Sequence, residues 1–167
     1  MKTALQIMRP LLLVITAILL LQCTYAQMEF IQNKGQWDSR VQYRGDFSTG
    51  SFYLEKDGFT VALHNPDDLK NVSAQMHGHG VTQATVPQPV VLRSHAYKVK
   101  FLAANDFAAS IPDKIQDYHT NYFIGNDPKK WAADCKIAQA VTYQNVYPNI
   151  DVRYYSDAGK MKYDIVV

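Results

Sequence analysis

The chain has 167 residues, 47% hydrophobic and 12% aromatic, with 17 basic and 15 acidic side chains and two cysteines. Charges this evenly balanced leave no basic face for nucleic acid or for an anionic membrane surface, and two cysteines cannot frame a disulfide scaffold. What remains is a chain long enough for one core, which has to stand on apolar burial.

At the N-terminus, Lys2 and Arg9 precede an apolar run from Leu11 to Leu21 that gives way to Cys23-Thr24-Tyr25-Ala26-Gln27. A membrane-spanning helix needs about 20 apolar residues, and this run stops short. With Thr24 and Ala26 as small residues at minus three and minus one, the pattern predicts a signal peptide over 1–26, cut after Ala26. The mature chain is then secreted or held at the outer cell surface, begins at Gln27 and keeps no membrane span. Lipidation of Cys23 would ask for a small residue where Gln22 stands. Of the 17 basic residues, Lys2 and Arg9 leave with the signal, so 15 face 15 acidic ones. Cys135 is left alone and reads as a small buried residue, because a thiol nucleophile needs a base placed beside it.

Beyond Gln27, aromatic and β-branched residues recur in short runs punctuated by Gly, Asn, Asp and Pro, the pattern of an all-β domain. Ser51–Glu55 and Phe59–Leu63 flank Lys56-Asp57-Gly58 and predict a β-hairpin, since Asp-Gly supplies positive φ. From His64 to Pro89 the chain turns polar and lacks apolar periodicity, so a mobile loop is expected over about 65–90. Its Asn71-Val72-Ser73 matches a glycosylation sequon, a short motif that chance also produces.

Order returns at His95–Ala103, where Tyr97, Val99 and Phe101 alternate with Lys98 and Lys100. A linker around Pro112 leads to the aromatic run Tyr118–Ile124. Asp127-Pro128 then predicts a short helical start, Asp127 capping and Pro128 at the first helical position, with Trp131 on its inner side as a core anchor. Lys136–Tyr143, Ile150–Tyr155 and Met161–Val167 read as strands, the last two joined by Asp157-Ala158-Gly159. On them Ile150, Val152, Tyr154, Met161, Tyr163 and Ile165 form an apolar face. The other face carries charge, and Asp151 and Asp164 are expected to pair with Arg153 and Lys162. An apolar strand at Ile165-Val166-Val167 predicts a domain that continues past Val167.

No catalytic constellation stands out. His77 and His79 are candidate metal ligands at a two-residue spacing, but a site needs three or four convergent groups and none stands beside them, so no metal and no cofactor is predicted. A pocket gathering two of His64, His95 and His119 with an Asp would mark a hydrolase, and two coplanar exposed rings along a groove would mark carbohydrate binding. Most aromatic rings belong to a β core. Tyr155, on the charged face, is the candidate surface contact.

Four stretches carry a family likeness: FIQNKGQWDSRVQYRG, FYLEKDGFTVALHN, HAYKVKFLAAN and the run from NYFIGNDPKKWAADCKI to MKYDIVV. Together they resemble a domain of unknown function at the N-terminus of large exported Bacteroidetes surface proteins. The resemblance implies neighbouring β-rich modules, such as β-propeller-type or PKD repeats, and a C-terminal gliding-motility-associated or type IX sorting domain. It implies no active site. Relatives commonly carry FLGAN where this chain has FLAAN, with Ala103 in place of Gly.

The sequence therefore predicts a signal peptide over 1–26 and, over 27–167, a β-sandwich-like domain of antiparallel strands with one short helical turn, incomplete at its C-terminus. Its expected role is that of a non-catalytic structural or adhesive module, linked to gliding or surface attachment. The expected partners are neighbouring modules of the same polypeptide and a surface polysaccharide or protein. An extracellular hydrolase or a carbohydrate-binding module is the alternative.

Overall fold

The structure, a computed structural model, describes residues 27–77 and 91–167. The expected signal peptide, Cys23 and His79 lie outside the described residues, as does the 78–90 part of the expected loop. Among the described residues, nine strands form one antiparallel sheet: β1 (Phe30–Gln32), β2 (Val41–Phe47), β3 (Gly50–Glu55), β4 (Gly58–His64), β5 (Ser94–Lys100), β6 (Ala109–Tyr122), β7 (Ala132–Tyr147), β8 (Ile150–Asp157) and β9 (Lys160–Val166). The fold is all-β, as the alternating pattern predicts.

The sheet runs β5-β4-β3-β2-β1-β7-β8-β9, with β6 also on β7. β7 is the branch point. One of its margins is taken by β6, while the other holds β1 at Ile137 and Ala138 and then β8 from Ala140 onward. The two wings part there, and the backbone N–H of Met28 bridges to Ser156 Oγ of β8 at 2.9 Å. They meet again across the core, where Phe59 of β4 lies 6.0 Å from the Tyr154 ring of β8 and 5.9 Å from Tyr163 of β9. The architecture is thus one sheet curled into a half-barrel, where the sequence suggests a sandwich of two. A single continuous ladder leaves fewer free edges than two separate sheets would.

Local chemistry explains the hairpins. Glu55 pairs with Gly58 across Lys56-Asp57, and Asp157 pairs with Lys160 across Ala158 (φ 49) and Gly159 (φ 72). In the second turn positive φ falls on both central residues, the turn whose twist suits adjoining strands, while in the first it falls on Gly58, which follows them. Inside the curl sit Phe30, Tyr43, Leu54, Val61, Val141, Tyr143, Val146, Val152 and Tyr154, all buried.

Three sequence expectations need correction. The polar stretch after His64 opens with a helix, α1 (Pro66–His77), in place of a loop. Asn65 Oδ1 caps it by accepting from the N–H groups of Asp67 (3.0 Å) and Asp68 (3.1 Å). The Asp68 carboxylate then takes both Nε and Nη2 of Arg93 at 2.8 and 2.9 Å, tying α1 to the approach to β5. A capped helix held by a bidentate ion pair does not need an apolar stripe, and its residues are mostly exposed. Second, Pro112 lies within β6, paired with Val141, and is no linker. Because β6 pairs only with β7 among the described residues, a missing N–H is tolerated on its open side.

Third, Trp131 is no core anchor. Asp127 and Pro128 start a 3₁₀ turn over Pro128–Lys130 as expected, with the Asp127 side chain accepting from the Lys129 N–H. One such turn is too short to swing its C-cap residue onto the sheet, and Trp131 is 44% exposed. Its indole N–H donates to the Gly125 carbonyl at 3.1 Å.

The Asp68–Arg93 pair carries a pH signature. Arg93 beside it lowers the Asp68 carboxyl from 3.8 to about 2. A folded-state value below the unfolded one gives stability that is full above the unfolded value and disappears as pH falls through about 2. Urea midpoints should therefore drop between about pH 4 and 2, and Arg93→Gln should remove part of that slope. A parallel acid limb in the variant would count against the pair.

Ala103 sits at φ 55, in the left-handed region, within the turn after β5. Glycine has no Cβ to strain in that conformation. Ala103→Gly should raise stability by about 0.5–1 kcal/mol, since the left-handed conformation costs an L-residue about 1–2 kcal/mol and glycine returns part of that in chain entropy. A lower unfolding midpoint in the variant would refute this.

Candidate binding surface

Alternation along β8 turns Val152, Tyr154 and Ser156 inward and Arg153 and Tyr155 outward. On that outer face the Arg153 guanidinium donates to Asp113 Oδ2 of β6 at 2.7 Å. Asp164 of β9 stands opposite Arg153 in register, yet its Oδ1 accepts from the Tyr155 hydroxyl at 3.3 Å. Lys162 pairs with Asp157, and the Asp151 carboxylate accepts from the Asn145 N–H at 2.8 Å. The expected pairing of Asp151 and Asp164 with Arg153 and Lys162 is thus redistributed. A neighbour distant in sequence, β6, supplies the carboxylate that Arg153 uses.

Tyr155 is half-buried and forms a wall of a cavity of about 290 Å³ shared with Gln27, Lys114, Gln139, Arg153 and Asp164. Lys114 reaches its rim from a backbone with φ 51, where the N–H donates to Asp113 Oδ1 at 2.8 Å. Neighbouring Arg153 holds the Asp113 carboxyl below its ordinary value. Lys114, Gln139 and Asp113 were not legible as site neighbours, because the Pro112 segment reads as a linker and hides the β6 to β7 pairing.

A second polar cluster surrounds the β3–β4 turn, in a cavity of about 300 Å³ that Arg40, Glu55, Asp57, Lys98 and Lys100 help to line. Buried Glu55 accepts from the Thr60 hydroxyl at 2.8 Å and pairs with Lys98, while Lys100 lies 2.9 Å from Asp57 and holds that carboxyl below its usual range. Arg40 is taken by Asp38. These pairings neutralise one another and fasten β5 to the hairpin.

The histidines do not converge. His64 Nδ1 lies 2.7 Å from Ser94 Oγ, His119 Nε2 lies 3.2 Å from Asp134 Oδ1, and His95 neighbours the Tyr97 ring. They stand on β4, β6 and β5, and none lines either cavity. Ser94 and His64 form a hydroxyl–imidazole pair, but among the described residues no carboxylate orients the imidazole. His77 is the last residue of α1, and among the described residues no three His, Cys, Asp or Glu side chains gather as metal ligands. Cys135 is fully buried, accepts from Gln36 Nε2 at 3.4 Å, and its thiol is pushed up by burial, away from nucleophilic character.

Aromatic side chains mark two further places. Arg44 lies between Trp37 and Tyr53, at 5.4 and 5.6 Å from the ring centres, and Trp37 meets Tyr122 edge-on at 70°. Rings so inclined give no flat platform. Past β6, Phe123 (61% exposed), Ile124 (75%) and Trp131 form an apolar flank in which the Phe123 and Trp131 rings lie 5.9 Å apart.

These features define a curled antiparallel β domain with a polar outer-face cavity and an apolar flank, in which Arg153 pairs with Asp113 and Lys98 and Lys100 pair with Glu55 and Asp57. The chain belongs to the family described as Domain of unknown function (DUF7948), whose model matches residues 30–167. No curated protein and no solved structure matches the chain.

Proposed function

We propose that this domain is a non-catalytic module of an exported, surface-attached protein of the Bacteroidetes kind, docking through its β6 flank against a neighbouring β-rich module of the same polypeptide. The signal-like N-terminus and the family likeness support export. The observation that carries the docking role is the flank itself. Phe123, Ile124 and Trp131 lie together at the end of a strand whose outer margin is unpaired among the described residues, and clustered exposed apolar groups mark interaction surfaces. Against hydrolysis stands the scatter of His64, His95 and His119 over three strands.

Hydroxyl-radical footprinting of the full exported protein tests this reading. Phe123, Ile124 and Trp131 should oxidise several-fold more slowly than Leu102 and Phe107, whose exposures here are 78% and 90%. Oxidation of the flank in proportion to its exposure in this domain would refute docking.

A further inference from the structure

The cavity beside Tyr155 shares no lining residue with the docking flank and has its own chemistry. Two donor cations, Lys114 and Arg153, and one carboxylate, Asp164, line it together with the amides of Gln27 and Gln139. Asp113, tied to Arg153 at 2.7 Å, brings the local charges to an even balance. That balance disfavours a phosphate or sulfate dianion, which would meet Asp164 at close range. The central strands of the cavity, β7 and β8, are hydrogen-bonded on both sides, so an added peptide strand would pair at the outer margins of β6 or β9 and not over the cavity itself. A ligand rich in hydroxyl groups answers both conditions. Carboxylates, amides and guanidinium groups are planar and pair with vicinal hydroxyls, donating and accepting, while an aromatic ring covers the C–H face of a pyranose.

The side chains are also held in place. Arg153 is fixed by Asp113, and Asp164 receives the Tyr155 hydroxyl on one oxygen, so the ring and the carboxylate are set relative to each other. Both sit on paired strands, which suit a preformed site better than loops do. A volume of about 290 Å³ suits one or two sugar rings rather than a long chain. We propose that this cavity is a binding subsite for a neutral pyranose unit of an extracellular glycan, with Tyr155 as the stacking platform and Asp164, Arg153 and Gln139 as the hydroxyl-reading groups. The inference rests on the non-catalytic reading of the domain and is independent of what covers the β6 flank.

The test is titration of the full exported chain, followed by amide shifts, with neutral tetrasaccharides of glucose, mannose, galactose or N-acetylglucosamine and, separately, with inorganic phosphate. At least one tetrasaccharide should bind with Kd of about 1 mM, and Tyr155→Ala should weaken it at least about tenfold. Tyr155→Phe, which keeps the ring, should retain affinity within about threefold. Asp164→Asn should weaken binding and Trp131→Ala should leave it unchanged, with parental melting temperatures confirming that each variant is folded. The proposal is overturned if no tetrasaccharide binds at about 10 mM, if Tyr155→Ala binds as the parent does, or if phosphate alone shifts the cavity residues. Because footprinting reports on Phe123, Ile124 and Trp131, failure of the sugar site and failure of the docking surface give different results.

Discussion

Tyr154→Ala should destabilise the domain by about 3–5 kcal/mol, the range for removing a large aromatic side chain from a close-packed core. Tyr154 is 1% exposed, and its ring lies 5.7 Å from Tyr143, 6.0 Å from Phe59 and 6.1 Å from Tyr163. These contacts join β8 to β7, β4 and β9, so the ring closes the curl of the sheet. A small residue there leaves a void whose walls belong to both wings, and neither wing can collapse into it without unpairing from β7. The neighbouring Tyr143→Phe should behave oppositely. The Tyr143 hydroxyl is buried without a hydrogen-bond partner, and burial pushes its ionisation well above the ordinary tyrosine value. Removing an unpartnered polar group relieves about 1–3 kcal/mol of desolvation, so this variant should be as stable as the parent or more so. Urea unfolding of both variants decides the matter. A loss below about 1 kcal/mol for Tyr154→Ala would mean that the wings do not share a core, and a clear loss for Tyr143→Phe would mean that its hydroxyl is satisfied.

How much of this is legible in the sequence depends on whether the signal is local. The β3–β4 and β8–β9 hairpins are, because a turn residue with positive φ and alternation on both sides suffice. The helix start at Asp127-Pro128 is read from the same cap-then-proline pair that stands at Asn65-Pro66, where two acidic residues follow in the first turn. The signal at Asn65-Pro66 is weak because α1 lacks an apolar stripe, the periodic mark that a helix held by a cap and an ion pair does not carry. The curl itself is not local. It requires β7 to change partners from β1 to β8 along one margin, and nothing in a strand's own alternation reports which neighbour it will have. The outer cavity inherits that difficulty. Tyr155 is identifiable from its charged face, but Lys114 and Asp113 join it only once β6 is known to lie along β7. Ala103 is the converse case, where a residue that is ordinary in the sequence gains its meaning from a backbone angle.

Gly58→Ala should cost about 2–4 kcal/mol, because strain and collision act at the same atom. Gly58 begins β4 at φ 150, a backbone conformation that side-chain-bearing residues rarely adopt, and it pairs with Glu55 on one side and Lys100 on the other. A Cβ built there would lie 2.0 Å from the Val99 carbonyl oxygen and 3.0 Å from its carbon. Both obstacles are backbone, so no rotamer change relieves them, and β5 would have to withdraw from the sheet. Withdrawal would also strain the ion pairs of Lys98 with Glu55 and of Lys100 with Asp57 and draw Val99 away from the core it packs against. Gly35 supplies the control. It too has positive φ, 114, but a Cβ there meets nothing within 4 Å. Gly35→Ala should therefore show the conformational penalty alone, about 1 kcal/mol. The difference between the two variants measures the collision with β5, and amide exchange should report it as faster exchange along Ser94–Lys100 in Gly58→Ala only. Equal losses for the two glycines would mean that β5 can move away freely, and the sheet would then end at β4 in solution.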